Sequence, residues 1–226
     1  NIEQVAATTQ FDVFEGTDRL GGITLHAPGL HNVRNALAAV AVGLELGVPF
    51  KTIAEGLSQY AGVDRRFQVK GEAPLTQDGE TGTVLLVDDY AHHPTEIEAT
   101  LAAAAKGWAD RRIVAVFQPH LYSRTRAFCA EFARALQRAD AVYLTSVYGS
   151  REIPDSTIHA GQIADAMRSS GFEDVVHVPD ILDLPDRLKA DCVAGDLVIT
   201  LGAGNINTVA DALTQRAPAL PRSGGG

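Results

Sequence analysis

The sequence predicts an α/β protein built on a doubly wound, mostly parallel, Rossmann-like sheet, and two observations carry that prediction. From Val84 onward, short apolar runs alternate with longer stretches whose apolar residues recur every three or four positions, the pattern of strands covered by crossover helices. Titratable residues gather immediately after the apolar runs, and in an open α/β sheet the turns beyond the strands' carboxyl ends are where ligands bind.

Strands are expected at Thr83 to Asp88, Ile113 to Phe117, Ala141 to Thr145, Val175 to Val178 and Leu197 to Leu201. Helices are expected between and after them at Pro94 to Trp108, Arg124 to Arg138, His159 to Ser170, Ile181 to Cys192 and Ile206 to Gln215. Upstream, Gln10 to Phe14 and Gly22 to His26 read as an antiparallel pair, followed by helices at Asn32 to Leu46 and Phe50 to Tyr60 that Gly47, Pro49 and Gly62 punctuate. This stretch looks too short to enclose a core, so Ala36, Leu37, Val40 and Leu44 are expected to face a sheet absent from the chain. The boundary falls near Val63. Residues 1–62 read as the incomplete end of one domain, 63–220 as the doubly wound domain, and 221–226, closing on Ser223 and three glycines, as a flexible tail.

Composition narrows the function. A length of 226 residues accommodates one domain and part of a second. A net charge of -9 opposes nucleic-acid binding, which depends on Lys and Arg displacing counterions from phosphates. No apolar run approaches the roughly 20 residues that cross a bilayer, and no charged and apolar leader opens the chain; a cytoplasmic location is expected. Cys129 and Cys192 fit no CxxC spacing and are expected to be reduced core residues. Asn1 in place of a methionine reads as a chain taken from something longer.

The first strand-to-helix turn is Asp88-Asp89-Tyr90-Ala91-His92-His93-Pro94-Thr95-Glu96, and the second is Gln118-Pro119-His120-Leu121-Tyr122-Ser123-Arg124-Thr125-Arg126. Ser146, Tyr148 and Ser150 follow the third strand, and Gly202-Ala203-Gly204-Asn205 follows the last. Folding explains part of this: Pro94 suits a first helical position with His93 near the cap, and Ser123 or Thr125 can cap the next helix. Acids, imidazoles and guanidinium groups collected on one rim are unnecessary for folding and costly if desolvated without partners, so a site for an anionic ligand is the better reading. Adjacent His92 and His93 seldom point at one ion, which argues against a metal. The glycine turn can cradle a phosphate, but the full dinucleotide fingerprint is not evident. No GxxxxGK[ST] loop occurs, so if ATP is used its main phosphate cradle lies elsewhere.

Val87 to Glu96 and Phe117 to Thr125 together closely resemble the Mur ligase family, in particular its branch that joins L-alanine to UDP-N-acetylmuramate. His31 to Ala39 is similar to the adenine-side helix of that family's central ATP-binding domain, Gly62 to Phe67 to its junction with the carboxy-terminal domain, and Gly202 to Ile206 to its final turn. The likeness runs from about Gly22 to Arg216. It implies a ligase of peptidoglycan precursor synthesis in which ATP phosphorylates the muramate carboxylate, the L-alanine amine attacks the acyl phosphate, and Mg²⁺ spreads the charge.

The resemblance implies that Asn32, Asn35, Arg66 and Asp89 bind ATP, and that His92, His120 and Arg124 line a pocket for the substrate carboxylates. It implies catalytic roles for Asp89, His92 and Arg124, and a structural one for Arg65. Family members often carry arginine where this sequence has Leu121. The amino-terminal domains that hold the UDP moiety, the phosphate loop and the Mg²⁺ ligands are expected partners lying outside the chain. Alone, the chain is expected to bind nucleotide weakly and not to turn over, with the helix from Asn32 exposing an apolar face. Three alternatives stand beside this: a ligase that recycles a tripeptide onto UDP-N-acetylmuramate, a nucleotide-binding module without catalysis, and a metal-dependent hydrolase using His92, His93 and His120.

Overall fold

The computed structural model describes residues 1–60, 62–77 and 80–214. The expected tail at 221–226 and the end of the last helix at Gln215 lie outside the described residues.

The chain opens with three antiparallel strands in the order β1-β2-β3: β1 (Ile2–Val5), β2 (Thr8–Glu15) and β3 (Asp18–Leu25). Two helices follow, α1 (Leu30–Glu45) and α2 (Phe50–Gln59). Gly16, with φ 61°, makes the tight turn between β2 and β3, where a residue at positive φ matches the twist of the flanking strands. Alternate residues Phe11 and Val13 on β2, and Ile23 and Leu25 on β3, point to one face, and Val33, Ala36 and Val40 of α1 close over it.

This corrects the expectation that the stretch lacks a core. β2 and β3 form the face that α1 and α2 cover, while β1, whose polar residues hid it in the sequence, lies beside β2 and donates from the Gln4 amide to the Ala103 carbonyl at 2.8 Å. Ala36 and Val40 are buried on that sheet, Leu44 only borders it, and Leu37 is 40% exposed at the edge of the helix's apolar stripe. α1 also exposes Leu30 (51%) at its start and Val42 (61%), and Leu46, just beyond its end, is 75% exposed.

The rest is a six-stranded mixed sheet in the order β4-β5-β9-β6-β7-β8. Its strands are β4 (Gln68–Gln77), β5 (Glu80–Asp89), β6 (Ile113–Phe117), β7 (Ala141–Leu144), β8 (Val175–His177) and β9 (Leu197–Leu201). β4 pairs antiparallel with β5, and all other pairs are parallel. β4 escapes sequence reading because Pro74 and Gly71 interrupt it. Both are tolerated on an edge strand, Gly71 with φ 110° at a register shift.

Strand residues alternate between two cores. Leu85, Val87, Ala115, Phe117, Val142, Leu144, Ile199 and Leu201 face α3 (Pro94–Gly107), α5 (Cys129–Leu136) and α6 (Gly161–Ser169). Val84, Leu86, Val114, Val116, Tyr143 and Val198 face α7 (Leu184–Asp191) and α8 (Asn207–Thr214). Each fully buried aliphatic side chain contributes about 1.5–3 kcal/mol. The chain runs outward from β5 through β6 and β7 to β8, then returns to insert β9 between β5 and β6, creating a crevice at that point of reversal.

The helix expected from Arg124 to Arg138 is instead two helices. α4 (Tyr122–Ala127) ends at Phe128, whose φ of −120° and ψ of 22° depart from helical values, and its ring packs on His93 and Phe132 before α5 begins. Neither Ser123 nor Thr125 caps α4: Leu121 holds the cap position at φ 71°, and the Thr125 hydroxyl donates back to the Leu121 carbonyl at 2.8 Å. His93 does cap α3, with Pro94 in its first turn and Glu96 completing a capping box. Cys129 and Cys192 are free thiols, the latter buried and pushed up to about 12 by burial. Among the described residues no helix is long and apolar enough to cross a membrane.

Ile23→Ala is expected to cost about 2–5 kcal/mol in denaturant unfolding, as a buried truncation does, whereas Leu46→Ala should fall within about 0.5 kcal/mol of the parent. Equal small effects would contradict a self-contained core under α1.

Candidate functional site

The carboxyl ends of β5, β6, β7 and β9 meet at one rim, and two clusters stand on it. The first is a cavity of about 450 Å³ whose lining includes Asn32 and Asn35 from α1, Arg66 from the linker, and Asp89 from the end of β5. Its size suits a small-molecule ligand. Asn32 and Asn35, three residues apart on a helix, share a face. The Asn32 amide donates to the Pro28 carbonyl at 2.8 Å, which fixes the side chain, and among the described residues no hydrogen bond is made to its oxygen. His31 and Glu96 also line the cavity; burial, with Arg66 beside it, holds His31 below its usual range.

Asp89 is buried, and its carboxylate accepts from Phe67 N–H at 2.9 Å, Ala91 N–H at 2.7 Å and the Thr100 hydroxyl at 3.2 Å. Three of its roughly four lone-pair sites are therefore spent on folding the junction and one remains for a ligand. Burial pushes its pKa from 3.8 up to about 6, against those three hydrogen bonds and the Arg66 charge.

The second cluster holds His92, His120 and Arg124. The two imidazoles meet edge-on with centroids 5.9 Å apart, and Arg124 Nη1 donates to His120 Nδ1 at 3.4 Å. Tyr90 packs on His92 at 5.2 Å, and Tyr148 stacks on His120 at 5.8 Å. His120 is held below its usual range, first by burial and then by the charges of Arg124 and His92. Glu96 links the clusters: it lines the cavity and lies 3.3 Å from His92 Nδ1. The loop after β7 straps α4 in place, Glu152 accepting from the Ser123 hydroxyl and N–H and Asp155 pairing with Arg126.

The seven residues to which the resemblance assigns binding or catalytic roles, Asn32, Asn35, Arg66, Asp89, His92, His120 and Arg124, thus fall in one of two adjoining clusters. Tyr148 was noted only as part of a polar turn, and its place against His120 had no local signal, because the two residues are brought together by a bridge between separate turns. His31 and Glu96 stood inside recognised stretches without a role of their own.

The turn after β9 packs on the junction: the Gly202 and Gly204 carbonyls accept from Arg65 at 2.7 and 3.0 Å, and the Gly202 N–H donates to the Asp89 carbonyl at 3.1 Å. A Cβ at Gly202, where φ is 147°, would come within 2.8 Å of the Gln118 carbonyl oxygen. His93 turns away from His92 to cap α3 and to pack on Phe128 at 4.9 Å. Among the described residues no three His, Cys, Asp or Glu side chains converge where they could hold a metal ion.

A family model described as "Mur ligase, glutamate ligase domain" matches residues 65–204. The chain is similar to the UDP-N-acetylmuramate--L-alanine ligase of Salinibacter ruber, 49% identical over 215 residues that cover 95% of this chain and 44% of that protein. The enzyme of the same name from Trichlorobacter lovleyi is 49% identical over 198 residues, covering 88% of this chain and 42% of the relative. The crystal structure of the Thermotoga maritima UDP-N-acetylmuramate-alanine ligase superposes with a TM-score of 0.74 at 31% identity, over 94% of this chain and 44% of that one. The chain spans less than half the length of the relatives it matches.

A carboxyl whose folded pKa lies near 6 rather than 3.8 contributes stability that is full below the lower value and is lost as pH rises through the higher one. Carbon-detected NMR titration should therefore find the Asp89 midpoint near 6. Thr100→Val, which removes a hydrogen bond to the charged form, should move that midpoint higher. A midpoint in the ordinary carboxylate range would contradict the burial seen here.

Proposed function

This chain belongs to the Mur ligase family, and we propose that it supplies the carboxy-terminal half of an ATP-dependent UDP-N-acetylmuramate:L-alanine ligase of cytoplasmic peptidoglycan precursor synthesis. The observation that carries this is the meeting of Asn32, Asn35, Arg66 and Asp89, from three separate segments, around one cavity beside the His92, His120 and Arg124 cluster. Residues 1–62 are the end of the family's central ATP-binding domain and residues 63–220 its carboxy-terminal domain.

In this reading Asn32 and Asn35 hold the adenine edge, since paired amides both donate and accept. Arg66 meets the ATP phosphates, and Asp89 orients the nucleotide with its one unspent lone pair while fixing Phe67 and Ala91 at the junction. Arg124 recognises a carboxylate, for which a planar guanidinium is suited, and His120 donates beside it. Such transfers depend mostly on positioning and on charge placed ahead of the reaction, which a rim built from four strand ends supplies. Leu121, at the α4 cap, offers no cation where family members often have one, so Arg124 carries that recognition.

Mg²⁺ supplies neutralisation of the phosphate charge in such ligases. The described residues of this chain bring no metal-ligand cluster to it; its protein ligands belong with the amino-terminal domains, and no step here is routed through it. The tripeptide-recycling reading draws on the murein peptide ligase of Psychrobacter arcticus, whose structure superposes at a TM-score of 0.63 and 24% identity, a likeness of fold. The 49% relatives favour L-alanine.

The test is to mix this chain with a separately made amino-terminal half of the ligase and to measure phosphate released from ATP in the presence of UDP-N-acetylmuramate, Mg²⁺ and L-alanine. Alanine-dependent release is expected, and silence from a folded mixture would overturn the reading. In the active mixture, Arg124→Ala should lower kcat/KM for L-alanine roughly 100-fold, about 3 kcal/mol, with little change in melting temperature. Arg124→Lys should not restore it.

A further inference from the structure

Among the described residues, one ring nitrogen of His92 is engaged. Nδ1 lies 2.8 Å from the Tyr90 carbonyl oxygen and 3.3 Å from the Glu96 carboxylate. Both are acceptors, so Nδ1 carries the hydrogen and the lone pair of the neutral ring lies at Nε2. Nε2 makes no hydrogen bond among the described residues, and the ring is held between Tyr90 and His120 by edge-on contacts.

His120 has the opposite arrangement. Its Nδ1 faces the Arg124 guanidinium at 3.4 Å, and a guanidinium can only donate, so in the neutral ring the hydrogen sits on Nε2. The cluster therefore presents a proton-accepting nitrogen on His92 next to two groups that can only donate to an anion, His120 Nε2 and Arg124. An amino acid carries both functions, an ammonium to be deprotonated and a carboxylate to be held.

Resting on the ligase reading above, we propose that His92 Nε2 is the base that deprotonates the incoming amino acid, with Glu96 and the Tyr90 carbonyl as its positioning groups. The N–H bond of the ammonium breaks and its proton passes to Nε2. The freed lone pair forms the C–N bond at the acyl-phosphate carbon. The C–O bond to phosphate then breaks, its electron pair leaving with inorganic phosphate, and the second proton on nitrogen is lost to solvent. Glu96 faces the resulting imidazolium from the first turn of α3. His120 and Arg124 face it from the turn after β6, Tyr90 from the end of β5, and Arg66 acts on Glu96 from the linker. This arrangement of an acceptor on one ring nitrogen and a free lone pair on the other is how imidazole bases are aimed in acyl transfer.

The complete two-part ligase separates this role from binding and from folding, using L-alanine and, in its place, hydroxylamine. Hydroxylamine attacks acyl phosphates and is largely unprotonated at neutral pH, so it needs no base. His92→Asn should lower kcat for L-alanine by about 10²–10⁴-fold more than it lowers the rate of hydroxamate formation, the range for losing a general base. Glu96→Gln keeps the α3 capping box, which glutamine also completes; it should lower kcat with L-alanine about tenfold more than it lowers hydroxamate formation, at the low end of acid–base effects. Equal loss with both nucleophiles, a raised KM for L-alanine at unchanged kcat, or no loss at all would each overturn the assignment. A parent enzyme that forms neither amide nor hydroxamate would overturn the ligase reading itself, and this assignment with it.

Discussion

The guanidinium of Arg65 joins three parts of the chain that are remote in sequence. Its Nε donates to Asp88 at 2.9 Å, its Nη1 and Nη2 to the Gly204 and Gly202 carbonyls, and its plane lies over the Tyr90 ring at 5.1 Å. The backbone carbonyl of the same residue accepts from Tyr90 N–H at 2.6 Å. Asp88 is 1% exposed and holds the Thr200 hydroxyl with its other oxygen, so without Arg65 a buried charge would stand uncompensated, at a cost of about 3–5 kcal/mol. The junction is strained as well: Arg65 and Phe67 both adopt positive φ, 60° and 48°. A left-handed conformation costs a residue with a Cβ about 1–2 kcal/mol, and it persists where surrounding bonds over-determine it.

From this clasp the geometry of the rim follows. It fixes the end of β5 against the end of β9, and β9 is the strand that returns to the middle of the sheet, so Asp89, Tyr90 and His92 stand over the crevice. The Phe67 N–H bond to Asp89 anchors the linker from the other side, and Arg66 between these two anchored residues is directed into the cavity. Asp88 and Arg65 are consumed by the clasp and most of the Asp89 carboxylate by the junction. Arg66 and Arg124 form no salt bridge among the described residues, which suits the proposed site for phosphates and carboxylates.

Much of the sheet was legible because buried parallel strands are written as unbroken apolar runs: Ile113 to Phe117 and Leu197 to Leu201 were placed to the residue. β4 was not, since Gly71 and Pro74 are permitted only by its edge position, which is a property of the sheet and not of the segment. The break at Phe128 was equally hidden: helical spacing continues through it, and the His93 ring on which Phe128 packs is remote in sequence. The titratable residues of the turns were visible as an excess that folding does not need. Their sorting into a cavity and a histidine–arginine cluster, and the contribution of Tyr148, depend on pairings between turns that no local spacing encodes.

Native-state hydrogen exchange in Arg65→Met tests most directly whether this single residue organises the site. The account predicts that the Phe67, Tyr90 and Gly202 amides lose protection together, while Ala115, Val142 and Ile199 in the central strands keep theirs. Unchanged protection at those three rim amides would contradict it, as would a uniform loss across the sheet, because the rim would then owe its order to the fold as a whole and not to the clasp.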